Sequence, residues 1–355
     1  MSQRLPQWEL TLVVLTLTAA AWSATLSPYY LSVGQILYST RQFVYPGILS
    51  IGLAVVVILS EIDISLASTL AFGGVLFSKF SAFGVPIWLA VPSVVAACAA
   101  LGTLNGVLVA RMNLPSLAVT LGTMGAFRGL AFIIGSETGY TSFDDSYLFI
   151  GSEKLFGALP VSFLLFLALA IAVGALMRWT VFGRRCYAVG RNKEAAWAAG
   201  IDVARIKIEA YALAGGLAGL AALVWIGQYG SARGDNADGA ILFVVTAVVL
   251  GGVDINGGRG GILGVVLALF LLGTMRNGMG LANIGGPTQT IVLGALLIVG
   301  VLRPAIFRAV RRLYRLLTPR PPTHRPRGGP RSQSDYDRRT QGQTRKFAHM
   351  TRRNT

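Results

Sequence analysis

The residues of this 355-residue chain best placed to do chemistry are a few polar side chains set among apolar runs. Glu61 and Asp63 stand two positions apart between two apolar stretches, where an ionised carboxylate is costly and by default functional. They either serve a translocation or proton path, or Asp63 caps a turn or helix start by accepting backbone N–H groups. Arg128, inside the apolar run 117–134, either pairs with a carboxylate or lines a polar path. Asn105 and Asn277 lie near the ends of two other runs, where they line a pathway or hydrogen-bond between helices.

Several chemistries are excluded by what the chain lacks. Its five lysines are Lys79, Lys154, Lys193, Lys207 and Lys346, and none follows a glycine, so there is no phosphate-binding G-x-x-x-x-G-K-[ST] loop. Gly257-Gly258-Arg259-Gly260-Gly261 does not match G-x-G-x-x-G, has no β-α-β unit around it, and reads as a tight turn. Neither H-E-x-x-H nor a nucleophile elbow occurs. Both histidines, His324 and His349, lie near the C-terminus, which argues against haem or histidine-metal chemistry in the apolar body. Cys98 and Cys186 give neither a disulfide framework nor metal-ligand spacing. The chain does not read as an enzyme, and no cofactor or metal is expected in it.

Composition says what must position these residues. Hydrophobic residues make up 54% and charged ones only 13%, about half the share of a soluble protein, which points to the membrane. Ten apolar stretches follow one another, at about 9–26, 43–60, 64–78, 87–110, 117–134, 161–180, 208–226, 240–252, 262–275 and 288–302. Several fall short of the ~20 residues of a perpendicular helix, so breaks or partial spans are expected, above all around Glu61. The first stretch, with Arg4 as its only preceding positive charge and Glu9 interrupting it, reads as a spanning helix and not a cleaved leader.

Charge orients the helices. Residues 178–207 carry seven Lys and Arg against Glu194 and Asp202, whereas 135–160 carries four acidic residues against Lys154. The positive-inside rule makes the first segment cytoplasmic and the second external. Counting spans outward puts both termini inside. The net charge of +16 is concentrated after Leu302, where 15 Lys and Arg face Asp335 and Asp337. This tail, 303–355, opens as a basic amphipathic turn and passes into an Arg/Pro-rich stretch expected to be disordered; no interleaved aromatics suggest nucleic acid. Its readings are contact with anionic lipid or an extension that reinforces the inside orientation. The transmembrane domain is thus expected over 1–302.

The segment 178–207 is otherwise a polar basic loop, with a short Glu/Ala/Trp helix over 194–197 closed by Gly200. There is also a weak internal echo. Residues 59–65 (L-S-E-I-D-I-S) resemble 250–256 (L-G-G-V-D-I-N), and Asn105 and Asn277 each precede a proline by ten residues. Duplicated transporter halves show such self-similarity, but the two aspartates fall on the same side by span count, against an inverted repeat.

Glu61-Ile62-Asp63-Ile64-Ser65, Leu104-Asn105-Gly106, Thr120-Leu121-Gly122-Thr123-Met124 with Arg128-Gly129, Tyr187-Ala188-Val189-Gly190, Glu194-Ala195-Ala196 with Gly200-Ile201, Gly257-Gly258-x-Gly260 and Asn277-Gly278 occur in one order over about residues 40–302. In these pieces the chain resembles the permease subunits of bacterial ABC sugar importers, in the ribose, xylose, rhamnose and autoinducer branch. The resemblance implies an all-α inner-membrane protein in which two like or unlike permease chains form the pore. Two cytoplasmic ATPase domains would use ATP and magnesium, and an external binding protein would deliver the solute. Asn192, Glu194, Ala195, Ala196, Trp197, Gly200 and Ile201 look like the family's coupling helix, with Trp197 and Ile201 as anchors. Glu61, Asp63, Ser65, Asn105, Arg128 and Asn277 become candidates for the translocation path. Gly230-Ser231-Ala232-Arg233 with Asp235 and Asp238 leans toward the rhamnose and autoinducer side. The family often has Gly-Gly where this chain has Ser60-Glu61, and the more distant Leu-Pro of the longer loop signature is missing. The alternatives are a proton-coupled sugar transporter using Glu61 or Asp63, and a membrane enzyme acting on lipid-linked sugars.

Overall fold

A computed structural model describes residues 7–30, 32–135, 139–155 and 159–317. Contact density divides the chain after Leu302 into Met1–Leu302 and Arg303–Thr355. Of the second unit, the described residues continue the last helix; the Arg/Pro-rich stretch lies outside the described residues.

Thirteen helices appear among the described residues: α1 (Gln7–Leu26), α2 (Val33–Ile58), α3 (Leu66–Ala82), α4 (Ile87–Ala110), α5 (Ser116–Gly135), α6 (Asp145–Ser152), α7 (Val161–Trp179), α8 (Val181–Arg191), α9 (Lys193–Ala198), α10 (Val203–Tyr229), α11 (Ala240–Leu250), α12 (Ile262–Leu281) and α13 (Gly286–Leu317). A two-residue antiparallel hairpin, β1 (Lys154–Leu155) with β2 (Leu159–Pro160), precedes α7. Seven helices are long and apolar enough to cross a membrane, and Leu66–Ala82, Ala240–Leu250 and Gly286–Leu302 are shorter apolar helices. The ten apolar stretches of the sequence therefore all become helices.

Two expectations need correction. The segment 178–207 is not an extended loop: it is mostly helical, with α8 and α9 joined at Asn192. Gly183 and Gly190 let α8 lie on its neighbours, which composition alone does not reveal. The span drawn over 43–60 starts ten residues earlier, because Pro46 is accommodated inside α2.

The core is built on α10, which runs along α4 and α2 and also meets α3. Small residues set the α4–α10 distance: a Cβ on Gly102 would stand 2.2 Å from the Tyr211 carbonyl oxygen, and one on Gly215 2.4 Å from that of Cys98. Side chains there would force the helices apart, which is the close approach that Gly215-x-x-x-Gly219 suggests in the sequence. The packing is reciprocal between the two ends of the chain. α4 lies on α10 and α12 on α2, while α3 lies on α10 and α11 on α2. The α4–α5 and α12–α13 turns each hold an asparagine in the left-handed region, Asn113 and Asn283, both at φ 55°.

The echo between 59–65 and 250–256 is not part of that reciprocity. It joins the connection before α3 to the connection after α11, and the two lie side by side, since the Gly258 N–H donates to the Ile58 carbonyl at 2.8 Å. What they share is turn chemistry. Each helix closes with an N–H bonded five residues back, Glu61 to Val56 at 3.3 Å and Val253 to Val248 at 3.2 Å. Each aspartate then accepts the N–H two residues on, from Ser65 at 2.9 Å and Asn256 at 3.0 Å.

Candidate functional site

Six helical residues do not hold together alone, so α9 depends on its caps. Asn192 serves two helices: its N–H donates to the Ala188 carbonyl at 3.2 Å, closing α8, and its Oδ1 accepts the Ala195 N–H at 2.8 Å, opening α9. At the other end Gly200, at φ 80°, allows the Ile201 N–H to reach back to the Ala196 carbonyl at 3.0 Å. Asp202 then caps α10 through the Arg205 N–H at 3.0 Å. Of this segment Ala196 is buried, and Ile201 packs against the core. Trp197 is 74% exposed and stands outside the helices long and apolar enough to cross a membrane. Glu194 and Ala195 are exposed beside it. The connection thus presents one large apolar side chain on a rigid, doubly capped turn, above a concavity of about 840 Å³ to which Ala110, Asn113, Lys193, Trp197, Ile201 and Lys207 contribute.

On α8, Cys186 is buried, and burial, reinforced by the Glu209 carboxylate, pushes its thiol up to about 12. Tyr187 donates its hydroxyl to the Gly260 carbonyl at 2.9 Å. Gly190 lies against Ile58 and Gly258. The motif pieces 187–190, 257–260 and 59–65, far apart in the chain, therefore meet at the α9 end.

The break between α2 and α3 is held by three helices, α4, α5 and α10. Glu61 pairs with Lys207 of α10, both side chains being 13% exposed. The Ile62 N–H donates to Ser116 Oγ of α5 at 3.2 Å, and the Ile62 carbonyl accepts from Thr120 Oγ1 and from the Tyr211 hydroxyl of α10, each at 3.3 Å. Asp63, 1% exposed, accepts the Ser65 N–H and, at 2.6 Å, the Ser65 hydroxyl. Asn105 Nδ2 of α4 donates to Ser65 Oγ at 2.9 Å. Both readings of the sequence meet here: Asp63 does accept a backbone N–H at a turn, and it also sits in a buried polar cluster with Ser65 and Asn105. Among the described residues, Asp63 Oδ2 and Asn105 Oδ1 have no hydrogen-bond partner.

The other two path candidates lie elsewhere. Arg128 reaches the opposite end, where it donates to the Gly234 carbonyl at 3.3 Å and lies 3.6 Å from the exposed Asp238. Asn277 is buried on α12, whose neighbour Gly278 faces Ser23 of α1. The six residues are therefore three separate places, of which only one is a cluster. Sequence reasoning missed Lys207 as the partner of Glu61 and the grip of Ser116, Thr120 and Tyr211 on Ile62. A lysine four residues into α10 carries no signal of its own; pairing over 146 positions is a property of packing.

Residues 35–301 match the family described as the permease component of the branched-chain amino acid transport system. The chain belongs to that family. Among curated relatives, the autoinducer 2 import system permease protein LsrD of Enterobacter sp. (strain 638) is 31% identical over 301 residues, covering 83% of this chain and 92% of the relative. The LsrD proteins of Photorhabdus temperata and Klebsiella pneumoniae subsp. pneumoniae are each 32% identical, covering 84% and 83% of this chain and 91% and 90% of theirs. A solved structure titled as an inward-facing conformation of a putative metal-chelate type ABC transporter aligns over 84% of the permease and 99% of its own chain, at 17% identity and a TM-score of 0.45. The permease is thus a multi-pass membrane subunit of an ABC importer, of the sugar-importer branch, residing in the bacterial inner membrane, and not an enzyme.

Proposed function

We propose that the permease forms the solute path of an ATP-driven importer for autoinducer 2 or a closely similar sugar-like molecule, with rhamnose as the neighbouring candidate. Two permease chains, like or unlike, enclose the path; two ATPase domains bind ATP and magnesium on the cytoplasmic side; an external binding protein delivers the solute. All ten apolar helices cross or enter the bilayer, with both termini and α9 inside, and the reciprocal packing of α2–α5 and α10–α13 reflects an inverted repeat. The ATPase docks on residues 192–201, taking Trp197 as an anchor, and its closure on ATP moves α9. The substrate rests on one observation, the 31–32% identity to autoinducer 2 import permeases over more than four fifths of the chain. The docking surface rests on the exposed Trp197 carried by a doubly capped turn.

Of the alternatives, proton coupling through Glu61 is disfavoured by its ion pair with Lys207. Proteoliposomes holding the permease with the ATPase and binding protein encoded beside it test the proposal. ATP-dependent uptake of autoinducer 2 is expected, abolished by Glu194→Lys with loss of ATPase co-purification. Uptake of L-rhamnose alone moves the substrate to the sugar; uptake driven by a pH gradient with the permease alone refutes the proposal.

A further inference from the structure

Lys207 belongs to two places at once. Its side chain lines the concavity beneath α9, and its ammonium pairs with Glu61 in the α2–α3 break. On the other face of α10, Arg205 is engaged with Glu209, its neighbour one turn on, at 2.8 Å. Asp202 is engaged in capping α10. Glu61 is therefore the carboxylate that neutralises Lys207, and a half-buried charge left without its partner is strongly disfavoured. The start of α10, which continues directly from the α9 segment, is thereby tied to Glu61 through the Lys207 side chain.

Glu61 in turn sits on the least regular backbone of the core. Residues 61–64 are non-helical, so their N–H and C=O groups are not locked into a helix ladder. Instead Ile62 is gripped by Ser116, Thr120 and Tyr211, and Ser65, which itself holds Asp63, by Asn105. A displacement of Glu61 thus reaches α3, α4 and α5 through side-chain bonds that can rearrange, and no helix has to break for it. Ser60, at φ 64° and exposed, stands at the α2 edge of this break.

We infer that the Glu61–Lys207 ion pair is the strut that carries movement of α9 and the start of α10 to the α2–α3 break, making both residues positioning residues of the transport cycle. The inference rests on the reading of α9 as the ATPase contact. Its test does not depend on the solute. In the complex of the permease with its ATPase, Ser60→Cys is labelled with a water-soluble maleimide, with and without a non-hydrolysed ATP analogue; Cys98 and Cys186 are buried and contribute little background. Nucleotide is expected to change the labelling rate by about fivefold or more. Glu61→Gln and Lys207→Met should each flatten that dependence while the ATPase still co-purifies, and the charge-swapped pair Glu61→Lys with Lys207→Glu should restore it. A purely stabilising pair would lower thermal stability in the single variants and leave the nucleotide dependence intact, which overturns the strut. An unresponsive Ser60→Cys in the otherwise wild-type complex overturns it as well. Failure of ATPase co-purification after Glu194→Lys only, or lack of it in the wild type, bears on the docking surface and not on the strut.

Discussion

Replacing Gly190 with alanine puts one methyl group where the α9 end is most tightly closed. The added Cβ would stand 1.8 Å from the Ile58 carbonyl oxygen and 2.8 Å from the Gly258 nitrogen, both backbone atoms that cannot rotate away. Relief requires α8 to withdraw from the end of α2 by more than an ångström. Overpacking of that kind costs about 1–3 kcal/mol. Because Tyr187 ties the 257–260 turn to α8, the turn is drawn along and the 2.8 Å bond from the Gly258 N–H to the Ile58 carbonyl is lost, leaving buried groups unpaired at a cost of about 1–3 kcal/mol. Better helix propensity returns up to about 1 kcal/mol. The net expectation is a loss of about 1–6 kcal/mol, the combination of these ranges. Gly174→Ala on α7 is the control, because its Cβ would have nothing nearer than Ile262 at 3.8 Å, and it should be neutral or stabilising. Thermal unfolding in detergent, followed by the reaction of a fluorogenic maleimide with Cys98 and Cys186 as burial is lost, compares the two. If Gly190→Ala unfolds with the wild type, the junction of α8, the α2–α3 break and the 257–260 turn is not the rigid assembly described.

Trp197→Ala should leave unfolding unchanged, because the indole is mostly exposed, yet weaken ATPase co-purification at least tenfold; unchanged binding removes Trp197 from the docking surface. Asn192→Ala removes the side-chain cap of α9 while keeping the backbone N–H that closes α8, and should cost about 1 kcal/mol, with faster hydrogen exchange over 192–200 as the readout. Asp238→Ala should change stability by less than about 1 kcal/mol, since its 3.6 Å approach to Arg128 is solvent-exposed; a larger loss would show the outer connection to be a structural clamp. The Cys186 thiol is raised from its ordinary value to about 12 in the folded state, so the unfolded chain ionises first. Its contribution to stability is therefore complete below about pH 9 and lost as pH rises toward 12. Folded protein should resist maleimide at Cys186 up to about pH 9, and Cys186→Ser should flatten the alkaline fall in stability.

What the sequence determined by itself was whatever local chemistry imposes. Apolar runs had to become helices in a membrane, since unpaired backbone groups are not tolerated there, and all ten did. Asn192, Gly200 and Asp202 announce caps through residue type alone, and Asp63 announces a turn. No lysine follows a glycine, which excludes a G-x-x-x-x-G-K-[ST] phosphate loop in the chain. Tertiary structure decided the rest. Composition read 178–207 as a polar basic loop with one short helix, but buried faces on Gly183, Cys186 and Gly190 give α8 a surface to pack against, and helix is the result. The two aspartate turns looked like halves of a repeat, and packing shows them to be neighbours with common turn chemistry. Above all, the sequence presents Glu61 as an isolated carboxylate because its partner lies 146 positions away. Only the crossing of α10 over the end of α2, at a distance set by backbone contact, joins the charge in the break to the charge beneath α9.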